Sequence, residues 1–244
     1  MAALMFAKAF SGCGGGSSSN SAPLASFPQP QLQMSVNGVL NTTLTTQIAA
    51  NMLTDTSGQL LVQGPTYNGA FPGPTFLVHP GDTLNINLVN NFPPNPQTSR
   101  TGAFPADQYI TNLHTHGLTV SPLGNSDNIY NAVPPGTTFP ISVKIPSNHR
   151  AGTFWYHPHV HGSVTYSFLG GMAGMLIVQG GPGSIDAVPE VAAARNVVMV
   201  FQVIHTLFNG VVGYVDPQAM QMGSTAIVNG TGNGLWGPYL ERQE

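Results

Sequence analysis

In TLNINLVN, Leu84, Ile86 and Leu88 alternate with Thr83, Asn85 and Asn87, the period of a half-buried strand. FPISVKIP repeats the pattern, with Phe139, Ile141, Val143 and Ile145 on one face. HPGD ahead of the first and VPPG ahead of the second carry turn chemistry. GMLIVQG is apolar nearly throughout and is followed by GPGS, which predicts a buried strand and then a domain exit near Gly183. No stretch keeps a helical period over three turns, so the pattern predicts an antiparallel β-sandwich spanning residues 34–182. Residues 1–33, ending in the Pro-rich FPQPQLQ, read as leader and flexible linker. Beyond the exit, NVVMVFQVI (Asn196–Ile204) begins a new apolar strand. IVNGTGNGLWGP (Ile227–Pro238) echoes PTYNGAFPGP (Pro65–Pro74), so residues 183–244 read as an incomplete second copy of the same domain type.

Composition agrees with a turn-rich β protein. Only 6% of the 244 residues are charged, whereas glycine (29) and proline (21) are abundant. Apolar residues reach 41%, enough for a sizeable core and against disorder as the default. A net charge of −3 with six basic residues gives no electrostatic footprint for nucleic acid. No apolar run reaches the roughly 18 residues of a transmembrane helix. The single cysteine, Cys13, excludes an internal disulfide. Its surroundings, AALMFAKAF then SGCGGGSSSNS, resemble the lipobox of bacterial lipoproteins, in which the cysteine is lipidated and the preceding peptide removed. Lys8 interrupts the apolar run and no basic segment precedes it. The competing reading is a disordered tail with an incidental thiol. Export is expected on either, to the periplasm or to the outer membrane or cell surface as a lipoprotein.

Histidine placement is the feature that carries chemistry. NLHTHGL holds His114 and His116, and FWYHPHVHG holds His157, His159 and His161. Residues i and i+2 of a strand share a face about 6.6 Å apart, so two His-x-His pairs on adjacent strands offer four nitrogens to one space. Neutral imidazole suits copper, zinc, iron or nickel, and ligand type alone does not choose among them. Gly117 and Gly162 follow the two clusters, as expected where backbone turns beneath a metal. Trp155 and Tyr156 are expected to pack beside the site. His79 and His149 read as ordinary surface or loop histidines, and Asp82 as a turn residue.

YNGAFPGPTFLVHPGDTLNINLVNNF, NLHTHGL, AGTFWYHPHVHG and GGMAGMLIVQG, in that order across about residues 60–180, resemble the first cupredoxin domain of the multicopper oxidases. That family includes laccases, ascorbate oxidases and bacterial copper oxidases. The resemblance implies a cupredoxin-like Greek-key β-sandwich followed by the start of a second one. It also implies a copper-dependent oxidoreductase that takes single electrons from a small phenolic, aromatic or metal-ion substrate and reduces O2 to water. Its trinuclear copper cluster is shared between first and last domains. By the same resemblance His114 would be a type 2 copper ligand, and His116, His157 and His159 would ligate the type 3 pair. His161 has no ligand counterpart and would stand beside the cluster. Asp127, in GNSDNIY, falls where some members place an acid near it. Asp127 would relay protons to oxygen there, or else close an Asx-turn in its Asn/Gly-rich loop.

The resemblance also requires a type 1 copper with a cysteine thiolate and two histidines. Cys13 lies in the leader, and the family's His-x-x-His-x-His and His-Cys-His motifs are absent. The chain is therefore expected to be an N-terminal fragment, inactive without the missing C-terminal domains. Copper nitrite reductases resemble this region but carry the type 1 cysteine where this chain has Tyr156-His157-Pro158-His159. Two alternatives stay open: a non-catalytic module holding one copper or zinc through His114, His157 and His159, and a purely structural sandwich.

Overall fold

Thr83–Asn90 folds as the alternation predicts, with Leu84, Ile86 and Leu88 buried and Asn87 facing solvent. The computed structural model describes residues 3–9, 28–55, 58–94, 108–181, 184–206 and 223–228. In chain order its elements are β1 (Ala3–Ala9), β2 (Leu32–Met34), β3 (Val39–Asp55), β4 (Gly58–Tyr67), β5 (Thr75–Val78), β6 (Thr83–Asn90) and β7 (His114–His116). There follow β8 (Thr138–Lys144), β9 (Gly152–His157), α1 (Val164–Leu169), β10 (Gly174–Val178), α2 (Pro189–Ala193), β11 (Arg195–Thr206) and β12 (Gly223–Val228).

A four-stranded sheet, β4-β3-β6-β8, faces a five-stranded sheet, β2-β5-β10-β9-β7. Leu40, Leu44, Leu84, Ile86, Ile141 and Val143 from the first meet Phe76, Val78, Phe154, Tyr156 and Leu176 from the second in one core. Both sheets hide their apolar face this way, which is what makes the sandwich stable. The sandwich is mixed rather than antiparallel: β2–β5, β5–β10 and β3–β6 run parallel. Parallel neighbours cannot be joined by hairpins, and here the intervening chain crosses to the other sheet before returning.

Gly174–Val178 is buried at every position because both of its faces are covered. Leu176 and Val178 face the sandwich core, while Met175 and Ile177 pack with Leu77 and Val200 of β11. β11 pairs antiparallel with β1 on one side and β12 on the other. Ala3–Ala9, inside the segment read as a leader, is thus a strand, with Ala3 opposite Phe201 and Ala9 opposite Arg195. A short apolar run satisfies an open strand edge as readily as it serves an export signal. Cys13, and most of the IVNGTGNGLWGP echo, lie outside the described residues. No helix among the described residues is long and apolar enough to cross a membrane.

Candidate metal centre

β7 lies antiparallel to β9 with His114 opposite His157 and His116 opposite Trp155. Directly opposed residues share a face, so these four side chains point one way. Thr115 and Tyr156 point the other way and are buried. Two interruptions place the strands: Gly117, at φ +89°, ends β7, and Gly162, at φ +98°, turns the chain into α1. Asn90 holds the loop ahead of β7, donating through its buried amide to the Tyr109 and Val133 carbonyls at 2.7 Å each.

Ligand nitrogens of His114, His116 and His157 all lie within 4.8 Å of one another. His116 Nδ1 is 3.3 Å from His157 Nε2. Two of the rings, His157 and His114, are oriented by an identifiable partner. His157 Nδ1–H donates to the Pro158 carbonyl at 2.7 Å, which leaves Nε2 with its lone pair facing the cluster. Asp127 places its carboxylate 3.0 and 3.1 Å from His114 Nδ1 and accepts the Thr115 N–H at 2.7 Å. A carboxylate accepts, so His114 carries its proton on Nδ1 and frees Nε2. Burial lowers the His157 pKa from 6.5 to about 4, helped by His114, His116 and His159 against the pull of the Pro158 carbonyl. Burial and the neighbouring His114 and His159 lower His116 too, with Asp127 opposing. Neutral imidazole is the form that binds metal.

His159 lies past the end of β9. Its backbone N–H donates to Asn112 Oδ1 at 2.6 Å, and its ring stands 5.2 Å from that of His114 and 5.7 Å from that of His157. Its Nδ1 is buried without a hydrogen-bond partner, a costly arrangement that an ion would relieve. Three convergent imidazoles with this orphaned nitrogen beside them fit a borderline-soft ion such as copper or zinc. His161 is exposed, its ring 5.5 Å from that of His159.

Of the two aromatics, only Trp155 borders the cluster. It stacks on His116 (centroids 4.6 Å apart, 24° between planes) and on His157 (4.2 Å, 22°). Tyr156 instead packs into the sandwich against Phe76 and donates to the Pro74 carbonyl at 2.6 Å. The local Asx-turn belongs to Asn128, whose Oδ1 accepts from Tyr130 N, so the Asp127 carboxylate is left to the histidine. Asn112, the first residue of NLHTHGL, carries no signal of this role in the sequence. His149 occupies a loop but is buried rather than superficial, accepting from Thr119 N through Nε2 at 3.0 Å and meeting Phe154 edge to face. Asp82 closes the HPGD turn, its carboxylate accepting from His79 N at 2.7 Å and from Ser35 Oγ at 2.5 Å.

The family model described as "Multicopper oxidase" matches residues 45–182. Laccase-4 of Thanatephorus cucumeris is 25% identical over 186 residues, covering 72% of this chain and 32% of the laccase. A copper-containing nitrite reductase of Pseudomonas chlororaphis is 34% identical over 127 residues, covering 52% of this chain and 30% of the reductase. The crystal structure of a multi-copper oxidase from Pediococcus acidilactici shares the fold, with TM-score 0.58 at 19% identity over 84% of this chain and 40% of that one. The matches thus span a third or less of the length of the curated relatives.

Proposed function

The chain belongs to the multicopper oxidase family, and from that premise we propose that it supplies one side of a trinuclear copper cluster reducing O2 to water. The carrying observation is the convergence of His114, His116 and His157, with nitrogens within 4.8 Å, beside the partnerless Nδ1 of His159. On this reading His114 is a type 2 ligand, and His116, His157 and His159 hold the type 3 pair. Copper bound there supplies the single-electron steps that join oxidation of a small phenol, aromatic or metal ion to the four-electron reduction of O2. Asp127 holds the His114 ring with Nε2 forward, and the Pro158 carbonyl does the same for His157. Asp127, hydrogen-bonded to His114, would also relay to the site the protons consumed in water formation. His161 stays beside the cluster rather than in it.

The nitrite reductase relative raises a different activity. Nitrite reductases require a type 1 cysteine in this region, and the corresponding segment here is Tyr156-His157-Pro158-His159, which supports the oxidase reading. Export with a lipid anchor at Cys13 is the finer part of the proposal and rests on AALMFAKAFSGC. The pairing of Ala3–Ala9 with β11 weighs against removal of that peptide, and the intact mass of the mature protein decides between them.

Copper titration of the purified chain tests the site. We expect tight uptake that the paired substitution His157→Ala, His159→Ala abolishes, and that Asp127→Asn weakens by about 10- to 100-fold, the range for an orienting partner of a ligand. Unchanged binding in the paired variant would remove these histidines from the site. Uptake of one tightly held ion, rather than of several, would favour the non-catalytic module.

A further inference from the structure

The imidazoles do not stop at the cluster. His157 to His159 and His159 to His161 are separated by 5.7 and 5.5 Å between ring centroids, a row running from buried to exposed. Its inner end, His157, is 7% exposed. His161 is exposed where the chain turns into α1, and its ring makes no hydrogen bond among the described residues. The ring between them, His159, offers the buried Nδ1 that no protein group satisfies. His161 is therefore the outermost member of the row; His116, exposed as well, already has its Nδ1 turned to His157 Nε2 at 3.3 Å and its ring stacked on Trp155.

We infer that His161 is a capture ligand, which binds incoming copper at the surface and passes it inward to His159 and the cluster. The inference rests on the copper reading above, and goes beyond it by separating how the site fills from what holds it full. The transfer is ligand exchange. His161 donates a nitrogen lone pair to the hydrated ion and displaces water to solvent. His159 and His157 then form their bonds to it as the bond to His161 breaks. No electron moves and the ion keeps its charge. Ring spacings near 5.5 Å keep the next nitrogen within reach throughout, so a captured ion meets His159 at a high effective concentration rather than by repeated collision.

Loading kinetics test this with a signal inside the protein. Trp155 stacks on both His116 and His157, so quenching of its fluorescence reports arrival of Cu(II) at the cluster. The other tryptophan, Trp236, is removed as Trp236→Phe in every variant. Mixing the metal-free full chain with Cu(II) in a stopped-flow instrument, we expect His161→Ala and His161→Gln to load about tenfold more slowly. Their copper content after equilibrium dialysis should equal that of the parent. Loading at the parental rate in both variants overturns the inference while leaving the copper reading intact. Loss of bound copper at equilibrium overturns it differently, making His161 a resident ligand. A parent chain that takes up no copper overturns both.

Discussion

His114, His157 and Asp82 each take their orientation from a group outside the pattern that made them conspicuous. Spacing in the sequence exposes the histidines because strand geometry makes i and i+2 neighbours on one face. It does not expose the Pro158 carbonyl or the Asn112 amide, because a backbone acceptor has no residue signature and Asn112 works across a contact distant in sequence. Asp127 was legible only as an acid near the site, and its bond to His114 Nδ1 needed the folded loop. Asp82 gives the pH prediction at this scale. Burial alone would raise its pKa, but hydrogen bonds from Ser35 and from the backbone and ring of His79 outweigh it and hold the group below 3.8. A carboxylate lowered in the folded state contributes stability above its unfolded pKa, and that contribution is lost as pH falls through the folded one. Stability of the native chain should therefore fall more steeply than that of Asp82→Asn once pH drops below the ordinary carboxylate range, about pH 4. Denaturant melts at stepped pH measure this. Parallel curves would mean the HPGD turn is indifferent to the charge.

Among elements, the close fit of β9 to β10 fixes the strand that carries His157. Gly174 of β10 is directly opposite Tyr156 of β9, and a Cβ there would stand 2.2 Å from the Tyr156 hydroxyl. Tyr156 cannot retreat, being fully buried between Phe76 and Tyr67 with its hydroxyl held by the Pro74 carbonyl. Gly174→Ala should therefore destabilise the chain by about 1–3 kcal/mol, as overpacking does. It should also weaken metal binding, since any shift of Tyr156 moves Trp155 and His157 on either side of it. Urea unfolding and copper titration of the same variant check both halves, and a stable variant with weakened binding would separate strand position from stability. β6 and β8 were readable because one face of each is buried and the other wet. The parallel pairings were not, because no local pattern states which distant strand becomes a neighbour. GMLIV announced burial without saying why, and its outer cover, Val200 of β11, lies more than twenty residues further along the chain.

At the scale of the whole molecule, the histidines sit at one open edge of the sandwich. β7, which carries His114 and His116, is the edge of the five-stranded sheet among the described strands, with only β9 beside it. An edge strand of three residues has few backbone bonds to hold it, so its position depends on what its side chains grip. In the metal-free chain those grips are the bonds of Asp127 to His114 Nδ1 and Thr115 N, and the stack of Trp155 on His116. A bound ion adds a cross-link from β7 to β9 and to the turn beyond it, and it exists only in the folded state. Ligand present at 100 times its Kd stabilises by about 2.7 kcal/mol. For a chain of this size that corresponds to a rise in melting temperature of about 5–10 °C. Differential scanning calorimetry with and without Cu(II) or Zn(II) should show that rise, Mg(II) should not, and the His157→Ala, His159→Ala variant should lose it. If all four traces of the native chain coincide, the row of histidines binds no metal and the sandwich is structural alone.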